Sequence, residues 1–180
     1  MTSTVTTGLW QRFDHAEHAL CLRVNRGCRY SPARRLFVAV SRLGDGIFWY
    51  VLMVAFALSG PQGALVAAQM AVAGLAGTAL YRQLKHRLVR ERPFISYSSI
   101  QSGTTPLDRY SFPSGHTLHA VSFTLIATTH APELALLLVP FALLVAASRV
   151  VLGLHYPTDV LAGAAIGAAL ARAVVSLWPV

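Results

Sequence analysis

The sequence predicts an all-α fold: a polytopic membrane bundle of about five to six helices, with an amphipathic N-terminal segment at the membrane interface. Two observations predict this class. Hydrophobic residues make up 54% of the 180 residues and charged residues only 12%, about half the charged share of a typical soluble domain. The apolar residues also fall into separate stretches, divided by turn-forming and polar segments. So few charges exclude an ordinary soluble globule, a disordered tail and a coiled coil.

Residues 1–45 form the predicted N-terminal segment, which holds 7 of the 15 lysines and arginines. Its apolar residues recur at steps of three and four, which is helical spacing, so we expect an amphipathic helix in the interface. These residues are Leu9, Phe13, Ala16, Leu20 and Val24. A second short helix is predicted over about 32–43, before the break at Gly44-Asp45-Gly46. No basic region followed by an apolar run opens the chain, so no cleavable signal peptide is expected.

Residues 46–180 form the predicted membrane core, with five apolar stretches at 47–58, 64–81, 117–129, 134–147 and 160–178. Several are shorter than the roughly 20 residues that a spanning helix needs, so flanking residues must extend them or the helices must tilt. Gly163 and Gly167 have the spacing that lets two helices approach closely. We expect this pair to pack within the chain rather than to form a dimer.

Polar residues concentrate in two segments of this core, 82–116 and 148–159. Two apolar stretches separate the segments, so two crossings return the chain to the side of the membrane from which it started. Polar groups in a membrane bundle are costly unless they are paired or line a wet cavity. The sequence therefore predicts one functional site where both segments meet.

The residue types in these two segments indicate a phosphate site. Pro113-Ser114-Gly115-His116 precedes an apolar helix, where free backbone N–H groups and the helix dipole favour an anion. Arginine matches phosphate oxygens two at a time. His116 and His155 titrate near neutral pH, and Asp159 lies four residues after His155, within reach of its ring. The cations available are Lys85, Arg87, Arg90, Arg92, Arg109 and Arg149. Together these groups suggest phosphoryl transfer without a metal or another cofactor.

Other interpretations of these residues are disfavoured. His116, His155 and Asp159 could form a metal-binding facial triad, but the surrounding cations would repel a divalent ion. The net charge of +8 would suggest nucleic acid in a soluble protein. In an apolar chain it more often reflects anchoring or an anionic headgroup, so no nucleic-acid partner is expected. Four further side chains receive no site role: Cys21 and Cys28 are expected unpaired, His119 packed or pore-facing, and His86 solvated.

Three motifs in these segments resemble those of the type 2 phosphatidic acid phosphatase family, which shares its active site with vanadium haloperoxidases. K-x6-RP appears as Lys85-HRLVRE-Arg92-Pro93 and PSGH as residues 113–116. SR-x5-H-x3-D appears as Ser148-Arg149-VVLGL-His155-YPT-Asp159. The PSGH motif alone would be weak, but all three match in residue, spacing and order. The resemblance extends from about residue 47 to the end, and residues 1–45 match only loosely.

The resemblance implies a role for each matching residue. His155 would attack phosphorus and become a phosphohistidine, while Asp159 would hold its other ring nitrogen. His116 would protonate the leaving oxygen and then activate water. The groups that would hold the phosphoryl oxygens are Lys85, Arg92, Arg149, Ser114 and the backbone N–H of Gly115. The remaining cations, Arg87, Arg90 and Arg109, are expected to be headgroup anchors.

The expected function is that of a small bacterial lipid phosphatase, multi-pass in the cytoplasmic membrane. It would remove a terminal phosphate from phosphatidic acid, phosphatidylglycerol phosphate or undecaprenyl diphosphate. The alternatives are a non-catalytic membrane anion or lipid-phosphate carrier, and a vanadate-dependent haloperoxidase, whose relatives are generally larger and soluble. If residues 1–45 do not cross the membrane, 14 of the 15 lysines and arginines lie on the site's face, which by charge favours the cytoplasm. The resemblance favours the periplasmic face, and this is the orientation that we expect for the site. The oligomeric state stays open.

Overall fold

The computed structural model describes residues 3–106 and 108–179, with side chains from residue 14 onward in these ranges. Within them the chain forms helices joined by turns and loops, and its one β feature is an isolated bridge between Glu91 and Tyr110. The prediction of an all-α fold is confirmed. The helices are α1 Ser3–Asn25, α2 Ser31–Arg42, α3 Phe48–Leu58, α4 Pro61–Leu88, α5 Pro93–Ser96, α6 Gly115–His130, α7 Ala135–Val151 and α8 Pro157–Leu177.

The predicted apolar stretches all lie in helices, and four segments of the described chain are long and apolar enough to span a membrane. These are Ser31–Leu58, Pro61–Leu88, Pro132–Val151 and Pro157–Leu177. The shorter α6 has 16 residues and occupies the centre of the bundle, packed against α4, α7 and α8. Flanking residues extend four of the five stretches to spanning length, whereas the stretch at 117–129 becomes the 16-residue α6. The chain is therefore a multi-pass membrane protein.

The predicted break at Gly44-Asp45-Gly46 is a kink inside a longer helical segment. Residues Leu43–Ile47 form one π-helical turn between α2 and α3, and Gly46 takes φ 139°, a conformation that other residues rarely adopt. The indole nitrogen of Trp49 donates a hydrogen bond to the carbonyl of Gly44 at 3.2 Å. Because the glycines permit a bend without ending the helix, α2 and α3 together form the first candidate span. A domain boundary at residue 45 would fall inside this span and stays a prediction.

Helix α1 is confirmed as a helix, but its buried face is polar as well as apolar. Ala16 and Leu20 of the predicted apolar face are exposed, which leaves them free to face lipid. The side chains of Leu9 and Phe13 lie outside the described residues. On the opposite face, the side chains of Glu17, Cys21 and Asn25 are buried. This face therefore packs against protein rather than membrane.

Asn25 attaches the end of α1 to the two polar segments. Its side-chain nitrogen donates to the carbonyls of Gln101 and Val151, both at 2.9 Å, and its oxygen accepts from the backbone N–H of Gln101. Cys21 and Cys28 are free thiols, as expected, and both are buried. The N-terminal helix thus covers the loops that carry the site.

Gly163 and Gly167 bring α8 into backbone contact with α6. A Cβ atom on Gly163 would lie 2.5 Å from the carbonyl oxygen of Ser114, and one on Gly167 would overlap the carbonyl of Leu118. The expected packing of this glycine pair within the chain is confirmed.

Replacing Gly167 by alanine is expected to lower the free energy of unfolding by about 1–3 kcal/mol, the usual cost of overpacking. The added methyl group meets backbone, so α8 must move away from α6. A thermal melt in detergent measures the effect. The matched control is Ala169→Leu, which adds more atoms on the exposed face of the same helix. An unchanged melting temperature for Gly167→Ala would contradict close contact between the two helices.

Candidate active site

A cavity of about 490 Å³ lies at the end of the bundle where the two polar segments meet. Both segments therefore line one cavity, as the prediction of a single site requires. Its polar wall contains Lys85, Arg92, Gly115, His116, Arg149 and His155. The cavity continues between α3 and α4, where Met53, Ala71 and Leu75 give it an apolar wall. One end of the cavity is therefore suited to an anion and the other to a hydrocarbon chain.

His155 stands in the loop between α7 and α8 and is only 2% exposed. Its Nε2 atom lies 3.1 Å from Nη1 of Arg92. Because a guanidinium only donates hydrogen bonds, Nε2 is the acceptor and the ring proton is on Nδ1. This Nδ1 atom lies 3.7 Å from Oδ2 of Asp159, beyond hydrogen-bond length. It makes no hydrogen bond of normal length to a described residue, although the backbone of Ser111 lies near the ring.

The surroundings of His155 keep its imidazole neutral. Burial, and then the positive charges of Arg149, Arg92 and Lys85, hold the pKa of His155 well below its ordinary value. Both effects penalise the imidazolium form. At neutral pH the ring is therefore unprotonated at Nε2, where it accepts from Arg92 on the cationic wall of the cavity.

Asp159 lies behind His155, fully buried in the first turn of α8. Its Oδ2 atom accepts a hydrogen bond from the backbone N–H of Tyr156 at 2.8 Å. Its Oδ1 atom accepts from Nη1 of Arg90 at 2.7 Å. The expectation that Arg90 is a headgroup anchor is therefore wrong, because the fold turns its guanidinium inward to a buried carboxylate.

Lys85 and Arg92 share an internal anion, Asp108, which the sequence reasoning missed. The ammonium of Lys85 donates to both carboxylate oxygens at 2.9 Å, and Nη2 of Arg92 donates to Oδ1 at 2.8 Å. Burial alone would raise the pKa of Asp108, but Lys85 and Arg92 outweigh it and lower this pKa. The side chain of Asp108 is 41% exposed, so it can move aside. A bound phosphate would have to displace this carboxylate.

Replacing Asp108 by asparagine is expected to tighten the binding of inorganic phosphate by about tenfold, or ~1.4 kcal/mol. The amide keeps the size of the side chain but removes the competing negative charge. Isothermal titration calorimetry on the detergent-solubilised protein measures the change. Glu91→Gln is the control, because Glu91 pairs with exposed Arg109 instead. Weaker phosphate binding by Asp108→Asn would mean that this carboxylate orients Lys85 and Arg92 for the anion.

The other predicted phosphate-binding groups differ in how they meet the cavity. Arg149 is buried, bonds to the hydroxyl of Ser41 through Nη1 and has no partner for Nε among the described residues. The Ser114 hydroxyl caps α6 through Thr117, whereas Gly115 lies on the cavity wall. Arg149 therefore has hydrogen-bond donors free for a ligand, while the Ser114 hydroxyl is already occupied.

His116 pairs with a second residue that the sequence reasoning missed, Asp45. Its Nε2 atom lies 3.1 Å from Oδ1 of Asp45 in the π turn. The signal was present, because a carboxylate between two glycines in an apolar stretch needs a polar partner. Four of the seven acidic residues stand at or beside the site: Glu17, Asp45, Asp108 and Asp159.

The other histidines and arginines considered in the sequence do not belong to the polar wall of the cavity. His86 and Arg87 are exposed, and exposed Arg109 pairs with Glu91 at 2.9 Å. His119 lines the cavity one turn below His116, with Nε2 3.2 Å from the carbonyl of Gly74. Over the described ranges, no three His, Cys, Asp or Glu side chains are grouped closely enough to hold a metal ion. The facial triad considered from the sequence is therefore not formed.

Known proteins resemble this chain in both sequence and fold. A relative from Mycolicibacterium smegmatis, named decaprenylphosphoryl-5-phosphoribose phosphatase, is 36% identical over 128 residues, which is 69% of this chain and 68% of that protein. LpxE of Aquifex aeolicus matches with a TM-score of 0.74 and 25% identity, over 86% of this chain and 92% of that one. A transmembrane PAP2-type phosphatidylglycerolphosphate phosphatase from Bacillus subtilis has the same fold, with a TM-score of 0.74, 24% identity, and 92% and 86% of the two chains covered.

The family model of the PAP2 superfamily matches residues 62–179. This range contains all three motifs and every residue of the predicted site. The geometry, the motifs and the relatives agree: the chain belongs to the PAP2 superfamily and is a membrane phosphatase of that family.

Proposed function

We propose that the protein is a metal-independent lipid phosphatase that works through a phosphohistidine at His155. One observation carries the proposal: the unprotonated Nε2 of a buried histidine faces a cavity lined by Lys85, Arg92 and Arg149. A neutral imidazole is a nucleophile, and the three cations match the three oxygens of a phosphoryl group in transfer.

The proposed reaction has two steps. In the first, Nε2 of His155 forms a bond to phosphorus while the bond to the leaving oxygen breaks, and His116 gives that oxygen its proton. The reactive complex is therefore the one in which His116 is an imidazolium paired with Asp45. In the second, neutral His116 takes a proton from water, which attacks phosphorus and breaks the N–P bond. Inorganic phosphate leaves and His155 is regenerated. Proton transfer of this kind contributes typically about 10²–10⁴ in rate.

Asp159 completes the first step by stabilising the ring that becomes positively charged. Its Oδ2 atom lies 3.7 Å from Nδ1 of His155, so a small movement makes a hydrogen bond. The bond strengthens as the phosphohistidine forms, because the Nδ1–H then belongs to a cationic ring. Lys85, Arg92, Arg149 and the backbone N–H of Gly115 bind the phosphoryl oxygens.

A lipid substrate accounts for the apolar end of the cavity. Between α3 and α4 the wall changes from charged side chains to Met53, Ala71 and Leu75. A phosphorylated headgroup can therefore reach His155 while its hydrocarbon chain stays among apolar helices. The names of the relatives support candidate headgroups: a polyprenyl-linked phosphoribose and phosphatidylglycerol phosphate, beside phosphatidic acid and undecaprenyl diphosphate.

The proposed location is the bacterial cytoplasmic membrane, with the site on the periplasmic face and no nucleic-acid partner. Ser102 lies exposed in the loop between α5 and α6, on the site's side. A Ser102→Cys variant tests this orientation with a membrane-impermeant maleimide, and the two native cysteines are buried and give little background. Labelling in intact cells supports the periplasmic face, whereas labelling only after lysis would place the site in the cytoplasm.

The direct test is phosphate release by the purified protein in detergent with EDTA. The substrate panel holds phosphatidic acid, phosphatidylglycerol phosphate, undecaprenyl diphosphate and a polyprenylphosphoryl-5-phosphoribose. We expect turnover of at least one of them at the same rate with and without EDTA. Binding without turnover would favour a lipid-phosphate carrier, and rescue by an added divalent ion would overturn metal independence.

A further inference from the structure

We infer that Arg90 is a positioning residue for Asp159 and that Glu17 of α1 holds Arg90 in place. The N-terminal helix thereby forms part of the catalytic centre rather than only resting on the membrane. This inference rests on the proposed function, because it concerns the carboxylate that supports His155.

The guanidinium of Arg90 joins three elements of the fold. Nη1 donates to Oδ1 of Asp159 at 2.7 Å and to Oγ1 of Thr158 at 2.8 Å. Nη2 donates to Oε2 of Glu17 at 2.6 Å, and the group lies 3.9 Å from the centre of the Tyr156 ring. Arg90 is absent from the polar wall of the cavity, so it acts on Asp159 and not on the substrate.

Hydrogen bonds from Thr158 also hold Glu17 beside Arg90. Its side chain is only 5% exposed. Its Oε1 atom accepts from the backbone N–H of Thr158 at 2.9 Å and from the Thr158 hydroxyl. A buried carboxylate is costly unless it is paired and hydrogen-bonded. Arg90 therefore neutralises two buried carboxylates, one in α1 and one in α8.

The position of Asp159 depends on this pair. Arg90 holds Oδ1 and the backbone of Tyr156 holds Oδ2, so the plane of the carboxylate is fixed with Oδ2 towards His155. Without Arg90, Oδ1 loses its charged partner and the carboxylate can rotate or take up a proton. Either change weakens the support of Nδ1 during phosphoryl transfer, although the phosphate ligands remain in place.

The experiment uses the full-length protein and a soluble aryl phosphate. We expect Arg90→Gln to lower kcat by about tenfold to a hundredfold, the range seen when the partner that orients a metal-binding side chain is lost, with KM little changed. Arg90→Lys keeps the charge and should restore part of kcat. Glu17→Gln should lower kcat less, and the double variant should lose less than the product of the two single losses, because the residues act as a unit.

The control is Arg87→Gln, an exposed cation in the same polar segment, which should leave kcat and KM unchanged. A raised KM at constant kcat for Arg90→Gln would show instead that Arg90 binds substrate. If kcat falls equally in Arg90→Lys and Arg90→Gln and the melting temperature falls as well, the role of Arg90 is structural. If Arg90→Gln does not fold, Glu17→Gln decides: an unchanged kcat overturns the inference.

Failure of the inference and failure of the proposed function give different results. If the wild-type protein releases no phosphate from any substrate, the proposed function fails. If the wild type turns over normally and the Arg90 and Glu17 variants match it, only the positioning role fails.

Discussion

Replacing His155 by alanine is expected to lower kcat for phosphate release by at least about 10⁴-fold, as loss of a nucleophile does in other enzymes with covalent intermediates. The cations of the cavity would still bind the phosphate, but nothing would attack phosphorus. The change should leave phosphate affinity close to that of the wild type, because Lys85, Arg92 and Arg149 are unchanged and Arg92 keeps its bond to the carbonyl of Leu154. Steady-state kinetics with a soluble aryl phosphate measures the loss.

The control for His155→Ala is His86→Ala, since His86 is an exposed histidine next to Lys85. It should keep wild-type kcat. Phosphate release by His155→Ala within tenfold of the wild-type rate would contradict a histidine nucleophile at this position and favour direct attack by water.

Replacing Arg149 by glutamine is expected to lower kcat by about 10²–10³-fold, the usual effect of losing one preorganised donor in a transition-state site. Arg149 is buried beside Arg92 and its Nε has no partner among the described residues. A buried charge without a close carboxylate is costly to the fold. The variant should therefore melt at the same temperature as the wild type or higher while losing activity.

Arg172→Gln is the matched control, because Arg172 is exposed on α8 away from the cavity. It should change neither activity nor melting temperature. A parallel fall of both in Arg149→Gln would mean that Arg149 serves the packing of α2 against α7 through Ser41, and that other groups bind the phosphoryl oxygens.

The helices and most of the site could be predicted from local features of the sequence. The apolar stretches that form the helices are visible in the chain itself, and the three motifs fix the order of Lys85, His116 and His155. The kink at Gly46 was harder to foresee, because two glycines and an aspartate usually end a helix. Whether they end or bend it depends on the packing of α3, including the bond from Trp49 to Gly44.

The ion pairs of Arg90 could not be predicted, because both of its partners lie far away in the chain. Glu17 and Arg90 are separated by 73 residues and Arg90 and Asp159 by 69. An exposed anchor and a buried positioning residue have the same side chain, and only the tertiary fold decides between them. A useful signal was the scarcity of carboxylates: with seven in the chain, each one near a polar segment is a candidate partner for a site cation.

The most direct test is to find where phosphate is bound covalently during turnover. His116→Ala should slow hydrolysis of the intermediate, while an aryl phosphate with a good leaving group still lets it form, so the phosphoenzyme should accumulate. Quenching in base, in which phosphohistidine is stable, followed by mass spectrometry of the peptides locates the group. We predict phosphate on His155. Two results would contradict the claim that the two polar segments bind the phosphoryl group for attack by His155. One is phosphate on another residue, and the other is consumption of the aryl phosphate without a phosphoenzyme.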